Sequence, residues 1–133
     1  KVEDAEKTQL FGQSWVAVQP SQMEGWGITV IEANAAGTPV IASRVNGLQD
    51  SVVDAKTGLL VQAGKVEEFT QAMMTLIEDK QLRDSLSIEA AAWAKNFSWE
   101  KSADEFYQLI GTTLSEQKIK PAYTSLAFSP SEQ

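Results

Sequence analysis

The chain has 133 residues, 43% hydrophobic and 22% charged, which suits one soluble globular domain with a real core. Its 18 acidic and 11 scattered basic residues, net charge −7, argue against nucleic acid or an anionic membrane as main partner, though one local phosphate site remains compatible. With no cysteine and no histidine, the chain itself can form no disulfide, zinc finger, Ser-His-Asp triad or Cys-His pair.

"VEDAEKTQLFGQ" reads as a short helix, acidic at its start as the helix dipole favours. "WVAVQP" reads as a strand ended by Pro20-Ser21, and "SQMEGWG" as a loop. "ITVIEANAAG" is ambiguous by periodicity, because Ile-Thr-Val-Ile favours a strand. Gly27 before it, the helix-forming "EANAA" and Gly37 in a C′ position decide for helix. "TPVIAS" then reads as a buried parallel strand, "VNGLQDSVVD" as a loop and short helix, and "TGLLV" as a third strand entered through a turn at Lys56-Thr57-Gly58.

The remainder is helical. Val66, Phe69, Met73, Leu76 and Ile77 share one face, with Met73-Met74 expected to fill core. Leu82, Leu86, Trp93 and Phe97 mark a second helix with Asp79 as N-cap. Ser98 caps a third, striped by Trp99, Ala103, Phe106, Tyr107, Ile110 and Leu114. Trp93, Phe97 and Trp99 are expected to pack between these last helices. After about Gln117 the periodicity stops, so residues 118–133 read as an irregular tail behind a domain spanning 1–117. No apolar run reaches the ~18 residues of a spanning helix and no signal peptide opens the chain, which makes a cytoplasmic protein the default. It starts at Lys1, directly in a helical pattern, as a piece of a longer protein would.

Alternating strands and helices imply an α/β, parallel-sheet, Rossmann-like layer fold. Three short strands are few for a doubly wound sheet, so the chain reads as the latter part of such a domain, with ligand expected at the carboxyl ends of its strands.

The stretch "PSQMEGWGITVIEANAAGTPVIAS" holds the candidate chemistry. A loop with Gly25 and Gly27 leads from a strand into a helix, whose first N–H groups lack internal partners. Such a helix start favours an anion, and the glycines let a phosphate approach the backbone. Glu24 sits at the rim. Glu32, about one turn into the helix, is an acceptor-only carboxylate suited to a vicinal diol such as a ribose. The bland alternative is two solvated glutamates, since a pair eight apart arises readily in so acidic a chain. Trp26 serves equally to shape a slot or to pack beneath it. Asn34 reads as helix surface, Arg44 as a solvated arginine that could approach a phosphate, and Asn46-Gly47 as a turn or a lip of the site.

The same stretch resembles the signature of retaining glycosyltransferases of family 4, the glycosyl transferases group 1 proteins of GT-B fold. "NGLQDSVVDAKTGLLV" resembles that family's glycine loop, short helix and turn. "EEFTQAMMTLIEDKQLRDSLSIEAAAWAKNFSWEKSADEFYQLI" resembles its closing helices. The resemblance runs from about Lys7 to Ile110. It implies a fragment of the C-terminal, nucleotide-sugar-binding domain of a hexosyltransferase acting without cofactor or metal. By the same resemblance, Glu24 contacts the donor hexose near the reacting face, and Gly25, Trp26 and Gly27 form the sugar-contacting loop. Ile28 and Thr29 hold the diphosphate through their amides, and Glu32 holds the ribose. The family's upstream phosphate-binding Arg and Lys, first strands and N-terminal acceptor domain are missing from this chain; that absent domain could bring peripheral membrane association. The fragment alone is therefore expected to be inactive. The other reading is a non-catalytic interaction module that pairs through its exposed sheet edge, as a homodimer, without nucleotide.

Overall fold

The computed structural model describes residues 2–117, so the expected tail lies outside the described residues. The chain divides into two compact units, one ending at Phe97 and one beginning at Ser98.

The first unit is α/β and built on a parallel sheet in the order β1-β2-β3, with β1 Ala17–Gln19, β2 Val40–Ser43 and β3 Gly58–Val61. Ala17 pairs with Val40 and Gln19 with Ala42; Val40 pairs with Gly58 and Ser43 with Val61. Every residue of central β2 is buried, which explains its unbroken apolar run. Strand alternation splits the core. Val40 and Ala42 join Val30, Ala33, Leu48 and Val52. Ile41 joins Val61, Phe69, Leu76 and Leu86 on the other face. Fully burying a leucine such as Leu76 contributes about 2 kcal/mol by transfer alone, which anchors its helix better than any surface pair could.

The helices are α1 Asp4–Gln13, α2 Ile28–Ala35, α3 Leu48–Ser51, α4 Val66–Glu78 and α5 Lys80–Ala94. The ambiguous segment is helical, as its bracketing glycines indicate. Thr38 N–H bonds Ala33 O and Gly37 N–H bonds Asn34 O, both at 2.9 Å, a Schellman closure that turns the chain into β2. Asp79 caps α5 by accepting the Leu82 N–H at 2.8 Å. Trp93 and Phe97 do pack together, ring centroids 5.0 Å apart, and the Trp93 indole N–H reaches Ser51 O at 3.0 Å.

Other expectations need correction. Asn34 is fully buried rather than on the surface, because α2 packs against α5 and leaves little of its circumference in water. Met74, Val66 and Ile77 are exposed although periodicity put them with the core; Met73 alone of the methionine pair packs inward. A helix of this width buries a narrow strip, and its flanking apolar residues remain wet.

The second unit contains α6, Trp99–Gln117, whose start is capped by Ser98 Oγ accepting the Lys101 N–H at 3.1 Å. Along this helix Trp99, Phe106, Tyr107, Ile110 and Leu114 are exposed. Among the described residues, no helix is long and apolar enough to cross a membrane.

The turn into β3 is held by Asp54, which accepts the Leu60 N–H at 2.9 Å and pairs with Arg44 at 2.6 Å. Partial burial pushes this carboxyl up, but the Leu60 N–H and the Arg44 guanidinium outweigh it and hold the group below its ordinary 3.8. A lowered folded-state value means stability present above the unfolded value and lost as pH falls through the folded one. Denaturation of the chain and Asp54→Asn should therefore give different stabilities at pH 7, converging as pH drops below about 3.8. A gap that persists unchanged into acid would refute the assignment.

Candidate functional site

The loop between β1 and α2 starts where the sheet's carboxyl edge opens. Gln19, the last residue of β1, turns its amide back over the loop. Its Nε2 donates to Ser21 Oγ at 2.9 Å and to Glu24 Oε2 at 3.2 Å, and Ser21 Oγ donates to the same carboxylate oxygen at 3.3 Å. Glu24 is thus half-buried with two donors converging on Oε2.

The chain then passes Gly25 and Trp26 to Gly27, the α2 N-cap, at φ +82°. A Cβ on Gly27 would lie 2.7 Å from Leu48 Cδ2, so the sharp entry into α2 fits glycine. Ile28 and Thr29 begin the helix in exposed positions, and neither N–H has an acceptor among the described residues. Two donors and the positive end of α2 therefore face outward beside the glycine loop.

Trp26 is half-buried and meets Phe97 edge-on, centroids 4.9 Å apart, so its ring packs beneath the loop rather than standing free in a slot. Asn46-Gly47 proves to be a neighbour of the site. A Cβ on Gly47 would lie 2.5 Å from the carbonyl oxygens of both Glu24 and Gly25. The loop after β2 thus presses directly on the backbone of the β1–α2 loop.

Glu32 lies one turn along α2 with its carboxylate 2.7 Å from Lys7 Nζ, a pair between α1 and α2. That carboxylate raises the Lys7 ammonium above its usual value, opposed in part by desolvation. Arg44 points elsewhere. Its Nη2 is held by Asp54 at 2.6 Å and by Leu60 O at 3.0 Å, which ties it to the β3 turn.

The fold thus gathers Glu24, Gly25, Gly27, Ile28, Thr29 and Glu32 along one loop and helix start, with Trp26 under them. Sequence reading missed the supports. Gln19 offered a faint signal, a polar residue closing an apolar strand at the carboxyl edge. Lys7 offered none, since it lies 25 residues from Glu32 on a separate helix.

A family model described as glycosyl transferases group 1 matches residues 1–93. The chain belongs to that family. Among group 1 relatives, it is 44% identical over 95 residues to the D-inositol 3-phosphate glycosyltransferase of Rhodococcus opacus (strain B4), covering 71% of this chain and 21% of that one. The corresponding enzyme of Arthrobacter sp. (strain FB24) is 38% identical over 93 residues, covering 70% and 22%. The chain spans about a fifth of the length of these curated relatives. Sucrose-phosphate synthase from Thermosynechococcus elongatus superposes with a TM-score of 0.75 at 33% identity, over 80% of this chain and 27% of that one. Anabaena HepE in complex with UDP superposes with a TM-score of 0.69 at 28% identity, over 81% and 29%. The group 1 chain therefore has the Rossmann-like layer fold of GT-B glycosyltransferases.

Proposed function

We propose that this chain is the nucleotide-sugar-binding part of a retaining hexosyltransferase of glycosyltransferase family 4, carrying a sugar from a nucleoside diphosphate to an acceptor hydroxyl. One observation carries the reading: the unpartnered, outward-facing amides of Ile28 and Thr29 stand between Glu24 and Glu32 at the carboxyl edge of the sheet. The amides and the helix dipole suit the diphosphate. Glu32 suits the ribose diol. Glu24 sits where the hexose would lie, with Gly25 and Gly27 allowing close approach and Trp26 supporting the loop from below. The HepE complex with UDP supports the donor class.

In that role the chain's own contribution to rate is positional. Amides that hold the leaving diphosphate stabilise charge as it develops, and Glu24 faces the sugar as it becomes oxocarbenium-like. No metal or cofactor is needed for these steps. The missing parts would be upstream strands, which complete the phosphate site, and an N-terminal domain for the acceptor. Residues 1–117 then belong to the donor domain.

Calorimetric titration with UDP, GDP and ADP and their glucose conjugates tests the reading. Glu32→Ala should weaken binding about tenfold or more, the loss of charge-assisted bonds to a diol. Equal affinity in the folded variant would sink the ribose assignment.

A second reading has one observation in its favour. Along the outer edge of β1 runs an open groove of about 280 Å³ lined by Leu10, Phe11, Val16, Val18 and Val30, among others. A strand edge of that kind can pair with a second copy. A dimer burying this edge, formed by a chain with no nucleotide affinity, would favour the interaction module.

A further inference from the structure

We propose that Lys7 is a positioning residue for Glu32: its ammonium fixes the carboxylate so that the remaining oxygen receives a vicinal diol. This rests on the reading of Glu32 given above. In α1, Phe11 and Lys7 are the residues that are not exposed. Phe11 packs against the core beside β2, and Lys7 lies 2.7 Å from Glu32 Oε1 and 3.3 Å from Asp4 Oδ1. The helix is thus attached by Phe11 packing, by Thr38 Oγ1 donating to Phe11 O at 2.6 Å, and by the Lys7 ion pair, which ends on the carboxylate at the site.

Stability does not account for the pair. Both side chains are about a third exposed, 34% for Lys7 and 37% for Glu32, and ion pairs this wet contribute little to folding. Geometry gives it another effect. A free glutamate on a helix surface samples several rotamers, and a ligand must then select one. Lys7 engages Oε1, and Oε2 has no partner among the described residues. The carboxylate is left restricted in direction and still able to accept from two hydroxyls. Pre-ordering of this kind strengthens recognition without adding a contact to the ligand.

The test is an NMR titration of the whole chain with uridine, guanosine and adenosine diphosphates and their 2′,3′-dideoxy forms, in the parent and in Lys7→Met, Lys7→Arg and Glu32→Gln. Expected is a preference for the ribose form in the parent, abolished in Glu32→Gln. Lys7→Met should reduce that preference about three- to tenfold while leaving dideoxy affinity unchanged, and Lys7→Arg should restore most of it. A merely structural lysine would weaken both forms alike, and that result overturns the proposal. A full ribose preference in Lys7→Met overturns the role of Lys7 and leaves Glu32 standing. No ribose preference in the parent, or no binding by the folded chain, overturns both.

Discussion

Gly47→Ala should destabilise the first unit by about 2–4 kcal/mol, as measured by urea denaturation. Two costs add. Gly47 has φ +83°, where an L side chain loses about 1 kcal/mol or more. Its new methyl would also meet two carbonyl oxygens at 2.5 Å, those of Glu24 and Gly25, and overpacking of this kind costs about 1–3 kcal/mol. Backbone oxygens cannot swing aside as a side-chain tip can, so the β1–α2 loop itself must move. Gly64→Ala is the control. Gly64 has φ +77° with nothing near the added methyl, so it carries the conformational cost alone. If the two variants proved equally stable, the close approach of the two loops would be wrong. If Gly47→Ala is the worse, the amide signals of Gly25 and Gly27 should also shift, since the clash is transmitted into the candidate site.

Asn34→Leu should act in the opposite direction, raising stability by about 1–3 kcal/mol. Asn34 is fully buried, and neither its Oδ1 nor its Nδ2 has a hydrogen-bond partner among the described residues. An amide taken from water without replacement bonds costs about that amount. Leucine has a similar branched shape and no polar atom to desolvate, so the change removes the penalty with little repacking. Asn34→Ala separates the terms, because it removes the amide but opens a cavity, and it should gain less. Destabilisation by Asn34→Leu would mean that the amide is satisfied, for instance by a buried water.

Much of the fold was legible because local signals agreed with one another. The β-rich "WVAVQP", the unbroken apolar "VIAS" and the glycine-bracketed "ITVIEANAAG" each favour the state they adopt. The candidate site was legible for a related reason. Its residues from Glu24 to Thr29 are contiguous, and Glu32 follows at a helical spacing.

What was not legible depends on contacts distant along the chain. Asn34 looked like surface because a helix's sequence shows its apolar stripe but not a second helix packed on its other side. Arg44 could have faced a phosphate, and only the fold brought Asp54 and Leu60 O to claim it.

By itself, then, the sequence determined the kind of each element, the order of strands and helices, and the loop and helix start that carry the candidate chemistry. These follow from φ/ψ preference, capping and periodicity, which act over a few residues. The tertiary structure alone decided which groups support that chemistry: Lys7 on Glu32, Gly47 against Glu24 and Gly25, and Phe97 beneath Trp26. Ion pairs, close backbone approaches and ring contacts depend on distance in space, and folding sets those distances without leaving a spacing to read.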